Sequence, residues 1–129
     1  MCRLESSDNL YQDTRTILAR KEHRCNECHR TILAGEPFRK DFCVFEPGRA
    51  GSFNVCEHCA VLCDWLGRNC GGWIWGEVIP DIEEHAIEYK RTDLARLVVA
   101  AARRSWHRFK PNGYVGMPVP KLPKAIGAP

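Results

Sequence analysis

Two Cys-x-x-Cys pairs, Cys25/Cys28 and Cys56/Cys59, with 27 residues (29 to 55) between them, constrain this chain more than anything else in it. Each short turn aims two sulfurs at one point, and two such turns supply the four soft ligands of a tetrahedral ion site. The expected occupant is one structural Zn²⁺ at Zn–S distances of ~2.3 Å, with no coordination position left open for catalysis. Eight cysteines in a short chain also suit a disulfide framework, and a single pair suits thioredoxin-like redox chemistry. Two observations weigh toward the metal. The start of the chain, Met1 to Asp8, lacks the apolar stretch of a secretory signal, so a cytoplasmic protein with reduced thiols is expected. The pair is also duplicated, and no βαβ pattern surrounds it.

With 129 residues, 44% of them hydrophobic and 27% charged, the chain suits a single soluble domain. No run approaches the ~18 apolar residues of a membrane span. The expected organisation is one zinc-stabilised domain over residues 1–110, with the zinc module at about 20–70 and a helical part at about 77–110, followed by a Pro-rich basic tail over 111–129. Charge is unevenly spread. The last acid is Asp93, and residues 94–129 carry Arg96, Arg103, Arg104, Arg108, Lys110, Lys121 and Lys124 with none to balance them. Such asymmetry points to an anionic partner, or to contact between the protein's own acidic and basic parts.

Residues 14–24 form a basic approach to the first pair. A turn closing at Gly35 then leads into a predicted hairpin, with Phe38 to Phe45 outgoing, Pro47-Gly48 as the break and Ser52 to Val55 returning. A short helix follows from Cys56, carrying the second ligand pair in its first turn and stopping at Gly67. Knuckle, hairpin and ligand-bearing helix, with Cys-x-x-Cys…Ile32-x-x-Gly35-Glu36…Cys-x-x-Cys-Ala60, resemble the treble-clef zinc-finger superfamily and, within it, small uncharacterised zinc-finger proteins of bacteriophages and prophages. The resemblance covers about residues 14–90. It implies an α+β fold, a treble-clef-type finger with appended C-terminal helices and an extended tail, and an origin in a phage or mobile element. It implies little about activity, because treble clefs host nucleases, nucleic-acid binders and protein-interaction modules alike.

Enzymatic readings fail on the residues. A nuclease of the HNH kind needs a histidine base on the hairpin, and none stands between His29 and His58. A zinc deaminase needs His-x-Glu and a Pro before the second cysteine pair, whereas this chain has Glu22-His23 and Val55. Neither a catalytic residue nor a small-molecule substrate is expected. Cys63 shares a helix face with Cys56 and Cys59 and reads as a small buried residue. Cys43 and Cys70 read as free core thiols and Cys2 as a surface thiol; a second zinc on Cys43, Cys63, Cys70 and a histidine is the alternative. His23, His29 and His58 read as solvated or as supports for the ligands.

Trp73 and Trp75 stand between glycines, either covering the core or offering a surface for nucleobases or a protein. Pro80 opens a predicted helix to about Tyr89 whose outer face carries Asp81, Glu83, Glu84 and Glu88. Thr92 is the expected N-cap of a longer helix, about Asp93 to Phe109. At ~100° per residue, Leu94, Leu97, Val98, Ala101, Ala102, Trp106 and Phe109 share one side. Arg96, Arg103 and His107 fall opposite, with Arg104, Arg108 and Lys110 close by. That strip suits phosphates in a groove; a solvated face, or one paired to the acidic helix, is the plainer reading. Pro111-Asn112-Gly113 reads as the end of the helix, with an extended or disordered tail beyond it. Function is therefore expected to be a non-enzymatic zinc module that contacts nucleic acid through Arg96, Arg103, Arg104, His107, Arg108 and Lys110, or else a factor that binds or inhibits an acidic host protein.

Overall fold

The computed structural model describes residues 11–103, 107–110, 113–116 and 118–127. The described residues form a mixed α+β structure with three helices and antiparallel strands. β4 (Pro37–Glu46) and β5 (Arg49–Cys56) form the predicted hairpin, broken at Pro47-Gly48. On the other side of β4 lies β1 (Tyr11–Leu18), giving the order β1-β4-β5. Its alternation of Thr14, Thr16 and Gln12 against Asp13, Arg15 and Ile17 carries no clean apolar face, so its sequence suggests a basic approach and not a strand. β2 (His23–Arg24) and β3 (Thr31–Ile32) pair as the two short arms of a knuckle around Cys25–Cys28.

The chain then enters α1 (Glu57–Cys70). The helix runs past Gly67 and ends at Gly71, whose φ of 76° supplies the left-handed residue that closes it. Gly67 has a different task. A Cβ there would stand 3.3 Å from the Trp73 ring, so its missing side chain lets that ring lie on the helix. α2 (Val78–Glu88) and α3 (Thr92–Ala102) pack on each other as a helical pair, with Pro80 in the first turn of α2 as expected. Thr92 is the first helical residue of α3, and Arg91 occupies the cap position.

One buried cluster joins the knuckle, the sheet and the helices. Trp65, Leu62 and Leu66 of α1 meet Ile32, Phe38 and Val55 on one side and Val78, Ile82, Leu94, Leu97, Val98 and Ala101 on the other. Arg39 on β4 reaches Asp64 on α1 with two parallel bonds, Nη1–Oδ1 2.8 Å and Nη2–Oδ2 3.0 Å, tying the sheet to the helix that covers it.

Three expectations for the C-terminal part are corrected. First, α3 ends at Ala102, not near Phe109. His107–Lys110 is instead a strand, β6, paired with Gly113–Gly116, β7. The two strands are antiparallel with Lys110 opposite Gly113, so the chain reverses between them. Trp106 and Arg104 lie outside the described residues. Second, the tail is not wholly free. Trp65 Nε1 donates to the Lys124 carbonyl at 3.0 Å, Arg91 Nη2 donates to the same carbonyl at 3.0 Å, and the Ile126 amide donates to Asn69 Oδ1 at 3.0 Å. A buried indole N–H needs an acceptor, and the returning chain provides it. Third, Asp81 is 5% exposed and faces inward, where its backbone carbonyl accepts from His85 Nδ1 at 2.7 Å, while Glu83, Glu84 and Glu88 remain on the outer face.

Candidate metal centre

The sulfurs of Cys25, Cys28, Cys56 and Cys59 all lie within 4.8 Å of one another, and all four residues are buried. Four sulfurs placed tetrahedrally around an ion at ~2.3 Å stand about 3.8 Å apart, and the Cys28–Cys56 Sγ distance is 3.9 Å. The donor set and the spacing fit one divalent ion. Among the described residues this is the only group of three or more Cys, His, Asp or Glu side chains gathered closely enough to hold a metal. Cys63 and Cys43 are buried free thiols outside it, and burial pushes the Cys63 thiol well up from its ordinary value. Cys70 is disulfide-bonded, which corrects the free-thiol reading of that residue.

Local structure prepares the site. In the knuckle the Cys25 amide donates to the Arg30 carbonyl at 2.9 Å, and the His29 amide donates to the Cys25 carbonyl at 3.0 Å. His29 closes the tight loop in the left-handed region, with a φ of 65°. Arg30, almost fully buried, grips Glu36 with both guanidinium nitrogens, and Glu36 Oε1 also accepts the Leu33 amide at 3.2 Å. These contacts explain the Ile32-x-x-Gly35-Glu36 pattern: Ile32 is core, Gly35 turns with φ of 88°, and Glu36 locks the loop. The second pair sits at the start of α1, with Cys56 capping the helix and Cys59 in its first turn. Thiolates there face the positive end of the helix. The Cys56 amide also points at Cys25 Sγ, 3.5 Å away.

Electrostatics favours a cation. Hydrogen bonds from Cys28, Cys56 and Cys59 draw the Cys25 thiol far below its ordinary range. Cys56 and Cys59 are pushed well up, first by their bonds to Cys25 and Cys28 and then by burial. Four thiolates this close in a dry site repel one another, so full deprotonation requires a positive ion among them. Of the three flanking histidines, His58 is buried, His23 is half-buried with its ring 4.8 Å from that of Phe38, and His29 is exposed.

The two residues inside the first pair also carry structure that their sequence context does not announce. Asn26 clamps the knuckle to β5: its amide donates to the Asn54 carbonyl at 2.8 Å and its Oδ1 accepts the Asn54 amide at 2.7 Å. Glu27, 6% exposed, accepts the amides of Gly76 at 2.7 Å and Val78 at 3.1 Å, so its carboxylate sits on the N-terminus of α2. Burial pushes the Glu27 carboxyl above its usual range, against those two donors. An acid between two cysteines is the available signal, but its partners lie 49 and 51 residues away.

The expected binding strip is divided by the structure. Arg96 and Arg103 are exposed on α3, opposite the buried Leu94, Leu97, Val98 and Ala101, and neither forms an ion pair among the described residues. With Thr92, Ala95, Val99 and Ala100 they line a shallow depression. His107, Arg108 and Lys110 belong to β6 and not to the helix. Trp73 and Trp75 are packed against the core. Trp75 stacks on Phe53 at 4.6 Å and meets Trp73 edge-on at 5.3 Å, which decides between their two readings in favour of cover for the core. No helix among the described residues is long and apolar enough to cross a membrane. No protein-family model matches this chain, and no curated protein or solved structure matches it.

Proposed function

We propose that the chain is a non-enzymatic zinc-binding module of treble-clef type that contacts nucleic acid through the basic side of α3 and the strand that follows it. The treble-clef reading rests on the order of knuckle, hairpin and helix with the ligands at both ends. Zinc is the reading for the metal because a closed, buried four-thiolate set suits it best. The nucleic-acid reading rests on one observation above the others: Arg96 and Arg103 stand exposed and without ion pairs among the described residues, although the acidic face of α2 is on the neighbouring helix. Cations with an architectural role would be paired there. Guanidinium groups on a helix face can instead neutralise phosphates.

Duplex binding measured from low to moderate salt tests this. Arg96→Ala with Arg103→Ala should weaken binding and reduce the salt slope by about one unit for each phosphate no longer neutralised, with metal content and melting unchanged. Wild-type affinity and slope in the double variant, or no duplex binding at low ionic strength, refutes the nucleic-acid reading and leaves an acidic protein as the partner of this face.

A further inference from the structure

A second surface lies away from α3. β1 is an edge strand, pairing only with β4 among the described residues, and seven of its eight residues are exposed. Its backbone edge can therefore accept another strand. Two large apolar side chains near its end are exposed, Ile17 at 41% and Leu18 at 66%. They open onto a groove of about 980 Å³ that runs from the end of β1 past the knuckle. The floor is fixed: the Ala19 amide donates to the Glu36 carbonyl at 2.9 Å, and the Ala19 carbonyl accepts the Gly35 amide at 2.7 Å. Arg20, Lys21, His23 and Lys40 line the groove, and no acidic side chain does. Glu36, at the same turn, is held by Arg30.

We infer that this groove docks an acidic, extended peptide segment of a partner protein, added as a strand along β1. Strand addition draws affinity from main-chain hydrogen bonds and specificity from side chains on alternate positions. Here apolar residues on one face of the added strand would meet Leu18, and carboxylates on the other face would reach Lys40 beside Ile17, with Arg20 and Lys21 at the strand's end. A single-stranded nucleic acid fits less well. Binding of that kind uses rings on which bases stack, and the aromatic rings of this groove, His23 and Phe38, are already packed on each other.

The test uses the full, metal-loaded chain and a synthetic eight-residue peptide alternating glutamate and valine, labelled for fluorescence anisotropy, with its lysine counterpart and a single-stranded oligonucleotide as comparisons. The glutamate peptide should bind, the lysine peptide should not, and amide exchange over residues 11–18 should slow when the glutamate peptide is bound. Lys21→Glu with Lys40→Glu, both exposed positions, should weaken binding at least tenfold. Arg96→Ala with Arg103→Ala should leave it unchanged, which keeps this surface separate from the α3 reading. The inference is overturned by absence of binding at low salt, by binding without slower exchange over 11–18, or by the oligonucleotide occupying the groove in place of the peptide.

Discussion

Replacing Glu27 by alanine is expected to cost clearly more stability than the same change at its neighbour Asn26. The side chain makes two hydrogen bonds as a carboxylate, to the Gly76 and Val78 amides at 2.7 and 3.1 Å. Bonds to charged groups contribute about 1.5–3 kcal/mol each. Against them stands the cost of burying the charge, which is visible in the raised carboxyl pKa. Truncation also leaves two amides at the start of α2 without their acceptor. The net loss should be about 2–4 kcal/mol for Glu27→Ala, and roughly half of that for Glu27→Gln, which keeps one carbonyl acceptor. Asn26→Ala, which removes a single more exposed bond to the Asn54 amide, should cost about 0.5–1.5 kcal/mol. Urea unfolding of the metal-loaded protein measures all three, and amide exchange should show the added opening in α2 before the knuckle. Metal stoichiometry should stay at one, since no ligand is removed. An alanine variant within about 0.5 kcal/mol of wild type, or an Asn26→Ala variant that costs more, refutes the clamp.

Purification without added metal should yield about one equivalent of zinc, and strong chelation should unfold at least residues 20–70, followed by circular dichroism; Cys25→Ser should reproduce that loss while Cys43→Ser should not. Asp41 is fully buried, bonded to the Thr14 hydroxyl, and burial raises its carboxyl pKa. A raised folded-state pKa gives stability that is present below the unfolded value and lost as pH rises through the folded one. Asp41→Asn should therefore gain on wild type as pH rises through that range, and a variant that instead falls behind with rising pH contradicts this. Trp65→Phe removes the indole donor to Lys124 and leaves a cavity at a fully buried ring, so it should cost more than the ~0.5–1.5 kcal/mol of the hydrogen bond alone and should speed exchange at Ile126, an effect absent from Trp73→Phe.

The parts legible in the sequence are those whose partners are near in the chain or whose chemistry is periodic. Cysteine spacing announces the quartet, Pro47-Gly48 the hairpin, and the apolar side of α3 the burial of Leu94, Leu97, Val98 and Ala101. The remainder depends on pairs far apart. Arg39 and Asp64 are ordinary surface-type residues until β4 and α1 bring them together, and β1 becomes a strand only because β4 offers it an edge. The early end of α3 has a physical reason as well. Trp106 and Phe109 continue a helical spacing, but the Pro111-Asn112-Gly113 run that reads as a helix end can equally reverse a chain, and His107–Lys110 pairs with Gly113–Gly116.

The clamps on the first Cys-x-x-Cys pair extend the metal's influence beyond its ligands. Folding energy from an ion goes first into bringing the ligating segments together. In this chain the two residues between the ligands face opposite ways, Asn26 toward β5 and Glu27 toward α2. The knuckle can hold both only when Cys25 and Cys28 fix its backbone, because the loop has little apolar surface of its own beyond Ile32. α2 in turn carries α3 through the shared core of Ile82, Leu94 and Leu97. Loss of the ion should therefore loosen the placement of the helix that presents Arg96 and Arg103, although neither residue is near the sulfurs in sequence. The metal would in this way control the proposed binding face, and duplex binding should fall in step with zinc occupancy as chelator is added.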